Sequence, residues 1–103
     1  MKYKILRTAK ADDQLQELLF YIAESSGDVD TALSYLDKIE RSVSCLSEFP
    51  YLGVKPRYSI LRKEGYRVLI VEKHLVFYKV NEDKMTVIIY AVVDGRREYK
   101  NLL

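Results

Sequence analysis

The second half of the chain contains three closely spaced apolar runs that are rich in Val, Ile, Tyr and Phe. They are Tyr66–Val71, Leu75–Val80 and Met85–Val93. These residue types suit a pleated, half-buried surface. Only three and four polar residues separate the runs, which is short enough for hairpin turns. The pattern therefore predicts an antiparallel meander of three strands.

The first half predicts a short strand and then a helix. Tyr3–Arg7 alternates weakly between polar and apolar residues, which indicates a first strand. Thr8 is a candidate N-cap and Gly27 a candidate left-handed C-cap of the helix that follows. The apolar stripe of this helix consists of Leu15, Leu18, Leu19 and Ile22.

A second helix follows after a very short loop. Asp28 or Asp30 is its cap, and Phe49-Pro50 ends it. Its apolar stripe consists of Ala32, Leu36, Ile39, Val43 and Leu46. Two helices joined by so short a loop form an antiparallel hairpin. Both apolar stripes must be buried, and the sheet is expected to cover them.

These elements predict one α+β domain over residues 1–103, in which an N-terminal strand and a helical hairpin pack on a mostly antiparallel sheet of about four strands. The connector between hairpin and meander, Tyr51–Lys63, contains Gly53 and Pro56. Part of it, Tyr58–Leu61, could be an extra short strand.

The composition argues against several classes of protein. The one cysteine, Cys45, cannot form an internal disulfide and is expected to be a packing residue in a reducing compartment. No apolar run approaches the roughly 20 residues of a membrane span, and the N-terminus lacks a signal-peptide core. We therefore expect a cytoplasmic protein with no membrane partner. One histidine and scattered carboxylates make no metal site, and no cofactor motif is present.

Charge is distributed unevenly along the chain. Residues 1–54 carry 6 basic and 9 acidic side chains, whereas residues 55–103 carry 11 basic and 6 acidic ones. A basic sheet half suits a phosphate-bearing or acidic partner. The alternative is that the basic residues form a solvent-exposed strand face, with lysines that prevent other chains from pairing with the edge of the sheet.

Four arginines, Arg62, Arg67, Arg96 and Arg97, form the most interesting group of side chains. Arginine binds phosphate with two parallel hydrogen bonds and keeps its charge. On neighbouring strands, Arg67 and the Arg96/Arg97 pair could converge on one phosphate. The alternative is a set of salt bridges to Glu64, Glu72 or Glu98.

Histidine and tyrosine supply the other candidate groups. His74 lies beside a predicted turn, where it is either a turn residue or a general base. Tyr66, Tyr78 and Tyr90 fall on predicted strands. They either pack against neighbouring side chains or stack on nucleobases.

Three segments together resemble the RelE/ParE family of toxins from type II toxin–antitoxin modules. They read LSEFPYLG, GYRVLIVEKHLVFYKV and VIIYAVVDGRREYKNLL, and their order and spacing cover almost the whole chain. The resemblance implies a growth-inhibiting toxin that a cognate antitoxin neutralises. RelE-like members cut mRNA on the ribosome without a metal, and ParE-like members poison DNA gyrase without being enzymes.

The residues of RelE-like nucleases are matched only in part. Arg97 lies where those nucleases carry an arginine after glycine. Arg67 occupies the position at which they carry a lysine on a strand. Tyr99 comes too early for their catalytic tyrosine. Three further positions of the nuclease set are occupied by Leu69, Leu75 and Leu103. These departures favour the ParE-like branch, whose members share the Phe-Pro-x-x-Gly connector.

The residues and the resemblance therefore leave three possible functions. The first is a gyrase poison that binds its target through Arg62, Arg96 and Arg97. The second is a ribosome-dependent, metal-independent mRNA endonuclease in which Arg67 and Arg97 hold the phosphate. Tyr99 or His74 would then transfer the proton. The third is a decayed toxin that only binds its antitoxin.

Overall fold

The computed structural model of the protein describes residues 2–96. The elements in chain order are β1 (Lys4–Arg7), α1 (Ala9–Ser26), α2 (Val29–Ser44), α3 (Ser59–Lys63), β2 (Arg67–Val71), β3 (His74–Asn81) and β4 (Thr86–Asp94). The sheet has the order β1-β4-β3-β2. Strands β2, β3 and β4 form the antiparallel meander, and β1 joins the outer side of β4 in parallel. The predicted α+β architecture is confirmed.

Local signals set the ends of the hairpin helices. The Thr8 hydroxyl accepts a hydrogen bond from the Ala11 N–H at 3.1 Å, and Gly27 ends α1 with φ 69°. Of the two candidate caps of α2, Asp28 is the one that accepts the Asp30 N–H, at 3.0 Å. Helix α2 ends at Ser44, and a 3₁₀ turn follows. Within residues 2–96, no helix is both long and apolar enough to cross a membrane.

The hairpin covers one face of the sheet and forms the main core there. The two predicted helical stripes supply Leu15, Ile39 and Leu46 to this core, together with Ala11. Alternate strand positions supply the other buried side chains, which are Leu69, Val71, Val76, Tyr78, Val87, Ile89 and Val92. Burial of the two stripes against the sheet, together with the pairing of β1 with β4, therefore joins the two halves of the chain.

A smaller core lies on the opposite face of the sheet, beneath α3. It consists of Leu61, Val68, Phe77, Ala91 and Val93. The predicted extra strand at Tyr58–Leu61 is wrong, because Ser59–Lys63 is a helix. Tyr58 and Leu61 are three residues apart, which places them on one side of a helical turn, and both pack on this core.

The prediction that Cys45 is a packing residue is also wrong. Cys45 is exposed at the end of α2, and its thiol lies 3.5 Å from the Arg41 carbonyl. The core position in this turn belongs to the next residue, Leu46, which is fully buried.

Candidate functional site

A cleft of about 960 Å³ opens where α1 and α2 pass the end of the sheet. We call it the hairpin cleft. Its walls include the apolar side chains of Leu18, Ile22 and Val92. Its polar groups include Tyr35, Glu72, Lys73, His74, Asp94 and Arg96. A cleft of this size that combines apolar walls with a few polar groups is typical of ligand-binding sites.

His74 lies in this cleft as the first residue of β3. It pairs with Val71 of β2 on one side and with Asp94 of β4 on the other. Its Nδ1 is 2.6 Å from the hydroxyl of Tyr35 on α2, and the two rings meet edge to face at 5.3 Å. Burial lowers the pKa of His74, although the nearby Asp94 carboxylate opposes this effect. Burial therefore favours the neutral form of the imidazole.

Asp94 and Arg96 form a tight pair at the mouth of the cleft. Asp94 accepts the backbone N–H of Arg96 at 2.9 Å, and its carboxylate also accepts two guanidinium N–H groups at 3.1 and 2.8 Å. These hydrogen bonds lower the pKa of Asp94 far below its usual range and raise the pKa of Arg96. Arg96 is thus exposed but already paired with a carboxylate.

The environment of His74 predicts that the protein loses stability as the pH falls below neutrality. The folded chain lowers the pKa of His74, whereas the unfolded chain titrates near its ordinary value of about 6.5. The neutral imidazole therefore stabilises the fold above pH about 6.5, and this stabilisation is lost as the pH falls through the lowered pKa. Asp94 contributes little to this window, since an aspartate carboxyl in the unfolded chain titrates at about pH 4.

Urea unfolding between about pH 7 and pH 5 measures this effect. We expect the midpoint of the natural protein to fall with pH and that of His74→Gln to change much less. Equal pH dependence in the two proteins would exclude His74 as the titrating group.

Arg67 lies elsewhere, where the connector runs beside the edge strand β2. Its guanidinium donates from Nη2 to the carbonyls of Tyr51 and Gly53, at 3.0 and 2.6 Å, and lies 5.2 Å above the Tyr51 ring. Its Nε is buried and has no hydrogen-bond partner among the described residues. Arg67 therefore holds the connector in place.

The same contact region explains the glycine of the Phe-Pro-x-x-Gly motif. The Gly53 N–H donates to the buried hydroxyl of Tyr78 at 2.9 Å, and Val54 pairs with Val68 through two backbone hydrogen bonds. Tyr51 is held by a hydrogen bond to Glu82, which raises the pKa of Tyr51 to about 12. We call the group of Tyr51, Gly53, Arg67 and Tyr78 the connector clamp.

Arg62 also makes contacts within its own segment. Its Nη1 donates to the carbonyls of Pro56 and Arg57 at 2.8 and 2.7 Å. These bonds tie α3 to the chain that precedes it, which gives Arg62 a structural role besides the proposed contact with a target.

The structure brings His74 and Arg96 together and separates both from Arg67. Arg67 begins β2, whereas Val71, which pairs with His74, ends it about 13 Å away. The predicted convergence of Arg67 and Arg96 on one phosphate is therefore wrong. The alternative salt bridges of Arg62, Arg67 and Arg96 to Glu64 or Glu72 are not found within residues 2–96 either. Arg97, Tyr99, Leu103 and Glu98 lie outside the described residues, and the roles predicted for them stay predictions.

Sequence reasoning did not identify the two residues that contact or pair with His74 in the cleft, Tyr35 and Asp94. Tyr35 flanks the α2 stripe, and nothing in the helical period shows that it reaches the sheet. Asp94 continues the alternation of β4 two residues after the core residue Val92, which is the signal that could have placed it on the hairpin face. Within residues 2–96, no three His, Cys, Asp or Glu side chains are placed to hold a metal ion.

Comparison with protein families gives a match over nearly the whole chain. The model of the ParE toxin of the type II toxin–antitoxin system parDE matches residues 5–99. This chain belongs to the ParE toxin family. The match includes the helical hairpin, the connector and the meander, and it confirms the resemblance inferred from the three sequence segments.

Solved structures of such systems share the fold. A chain of the chromosomal ParDE toxin–antitoxin system from P. aeruginosa superposes with a TM-score of 0.74 at 18% identity, covering 89% of this chain and 95% of that one. A chain of the RelBE2 toxin–antitoxin complex from Mycobacterium tuberculosis gives a TM-score of 0.60 at 18% identity, covering 91% and 99%. At such identities the likeness shows the fold alone. A search of curated proteins found no match.

Proposed function

We propose that this ParE-family chain inhibits growth by binding DNA gyrase and that a cognate antitoxin neutralises it. The observation that carries the proposal is the separation of the candidate nuclease groups. Arg67 is held by the carbonyls of the connector, while His74 lies at the far end of the sheet. The nuclease predicted from the sequence needs Arg67 and a proton acceptor at one phosphate, and His74 cannot meet Arg67 there.

The target contact is proposed to include the basic residues Arg96 and Arg97, together with Arg62 of α3. Arg96 is exposed, and its guanidinium is charged because arginine is not deprotonated in proteins. Exposed arginine is frequent at protein interfaces, where it contributes strongly to binding.

The antitoxin is proposed to cover apolar side chains on the outside of the hairpin. Phe20 and Tyr21 of α1 are 66% and 69% exposed, and Val29 and Leu33 of α2 are 62% and 48% exposed. Exposed apolar groups of this kind mark protein interaction sites. The two solved structures that share this fold come from toxin–antitoxin systems, which supports a partner of this class.

A supercoiling assay tests the gyrase proposal. Relaxed plasmid, gyrase and ATP are incubated with the purified chain, and the DNA is examined after the protein is digested. We expect loss of supercoiling and accumulation of cleaved DNA, with inhibition that depends on the molar ratio of chain to gyrase. Unchanged supercoiling together with cut mRNA on purified ribosomes would establish the nuclease instead.

Charge substitutions locate the proposed contact in the same assay. The double variant Arg96→Gln, Arg97→Gln should weaken inhibition about tenfold, the effect of losing one strong interface contact. Arg41→Gln changes the charge of an exposed α2 residue, whose side chain is 82% accessible, and serves as the matched control. If Arg41→Gln and the double variant weaken inhibition alike, Arg96 and Arg97 do not form the contact.

A further inference from the structure

The sheet face opposite the hairpin carries a cluster of two tyrosines and a lysine that the proposed function does not use. Tyr66 and Tyr90 meet edge to face with ring centroids 5.4 Å apart. The ammonium of Lys79 lies over both rings, 4.5 Å from the centroid of Tyr66 and 5.2 Å from that of Tyr90. We call these three residues the tyrosine–lysine platform.

A bulge in β4 brings Tyr90 to this face. Phe77 pairs with Ala91 but Tyr78 pairs with Ile89, so Tyr90 is an extra residue opposite the break. Ala91 packs in the small core beneath α3, and Tyr90 contacts Tyr66, whose ring also meets Phe77 of that core. Tyr90 and Ala91 therefore lie on the same face, although they are consecutive in the strand.

Beside the platform lies an open depression of about 380 Å³. Tyr90 and Ile88 line it with apolar surface, and Lys79 and Asn81 add polar groups. Glu82 and Asp83 also line it and carry negative charge. The depression thus offers a stacking surface with hydrogen-bond donors and acceptors around it.

A basic segment lies on the same face of the sheet as the platform, although the carboxylate of Glu64 also lies near Tyr66. Residues 55–63 carry four cations and no acid, namely Lys55, Arg57, Arg62 and Lys63. This segment includes α3, which packs on the same face as the platform. Its Arg57 guanidinium lies 5.1 Å from the ring centroid of Tyr58. Among the described residues, Lys79 forms no salt bridge with a carboxylate.

We propose that the tyrosine–lysine platform and the depression beside it bind single-stranded nucleic acid, with one unstacked base against Tyr90 and the adjoining phosphates on Lys79 and the cations of residues 55–63. Aromatic side chains interleaved with cations bind single strands in this way, because every base has a stacking face and every nucleotide a negative charge.

The acidic residues of the depression orient the strand. Glu82 and Asp83 repel phosphate but accept hydrogen bonds from the amino and imino groups of a base. The base is therefore directed into the depression and the backbone toward α3. A paired duplex hides its bases and offers only phosphates, so the surface should prefer a single strand.

Fluorescence anisotropy of labelled oligonucleotides with the purified full chain tests this inference. It involves neither gyrase nor ribosomes, so it fails or succeeds independently of the proposed function. We expect oligothymidylate or oligouridylate to bind more tightly than a duplex of the same length, and the comparison of the two single strands separates DNA from RNA as the source. Binding should weaken with added salt, as counterion release requires.

Variants locate the site. Lys79→Gln and Tyr90→Leu should each weaken binding about tenfold, which corresponds to losing one stacking or ionic contact. Tyr90→Phe, which keeps the ring, should bind normally, and Lys38→Gln makes the same charge change on the hairpin side and should have no effect. Because Tyr90→Leu changes a residue within β4, circular dichroism is used to check that this variant is folded. If Tyr90→Leu is unfolded, the result for Lys79→Gln decides the outcome.

Three results would overturn the proposal. They are the absence of binding to any oligonucleotide, duplex binding as tight as single-strand binding, and equal losses for Lys79→Gln and Lys38→Gln. The last would indicate general attraction to a basic chain instead of a site.

Discussion

Gly53→Ala is expected to lower the free energy of unfolding by about 3 kcal/mol, through overpacking and the loss of a buried hydrogen bond. A Cβ at this position would lie 2.5 Å from the Val68 carbonyl oxygen and 2.7 Å from the Tyr78 hydroxyl. Both contacts are far below van der Waals distance, so the connector must move off the sheet. This movement breaks the hydrogen bond from the Gly53 N–H to Tyr78 and leaves a polar group unpaired in the core.

Urea unfolding of the natural chain and the variant measures this loss. Gly27→Ala is the matched control, because Gly27 has φ 69° but a Cβ there would meet no atom within 4 Å. It should cost only about 1 kcal/mol, the strain of a left-handed conformation. If Gly53→Ala is no more destabilising than Gly27→Ala, the close approach of connector and sheet is not as described.

Arg67→Ala is expected to destabilise the fold by about 2 kcal/mol, since hydrogen bonds from a charged group contribute more than neutral ones. The substitution removes the donor to the Tyr51 and Gly53 carbonyls and the cation above the Tyr51 ring. Arg67→Lys keeps the charge but loses the planar fork, so its stability should be intermediate.

Gyrase inhibition by the Arg67→Ala variant distinguishes a structural role of Arg67 from a catalytic one. At a temperature where both proteins are folded, Arg67→Ala should inhibit gyrase as the natural chain does. Arg41→Ala, at an exposed pair with Asp37, should change stability by less than about 0.5 kcal/mol and serves as the reference. A folded Arg67→Ala that has lost all activity would show that Arg67 contacts the target or its RNA.

The parts of the fold that local physics determines were predictable from the sequence. Thr8 and Gly27 fix the ends of α1 through backbone groups within four residues of each cap. Alternation of apolar residues places strand side chains on the correct face, because a pleated strand repeats every two residues. The helical period of the hairpin identifies the side chains that cover the sheet.

The remaining features depend on contacts between distant segments. The role of Arg67 depends on where residues 51–53 approach the edge strand β2, and no periodicity in the sequence indicates that path. The bulge at Tyr90 is one additional residue in a continuous apolar run. A continuous apolar run has no alternation that would reveal an additional residue. For similar reasons, the pairing of His74 with Asp94 requires the register of two strands, which the sequence pattern does not fix to the residue.

The most direct test of the proposed function is pulse-labelling of cells after this chain is induced alone, with thymidine and methionine incorporation followed together. Inhibition of gyrase predicts that thymidine incorporation falls first while translation continues. An early fall in methionine incorporation, with thymidine following later, would contradict the proposal and assign the chain to the ribosome. Growth with neither change would indicate a toxin that has lost its activity.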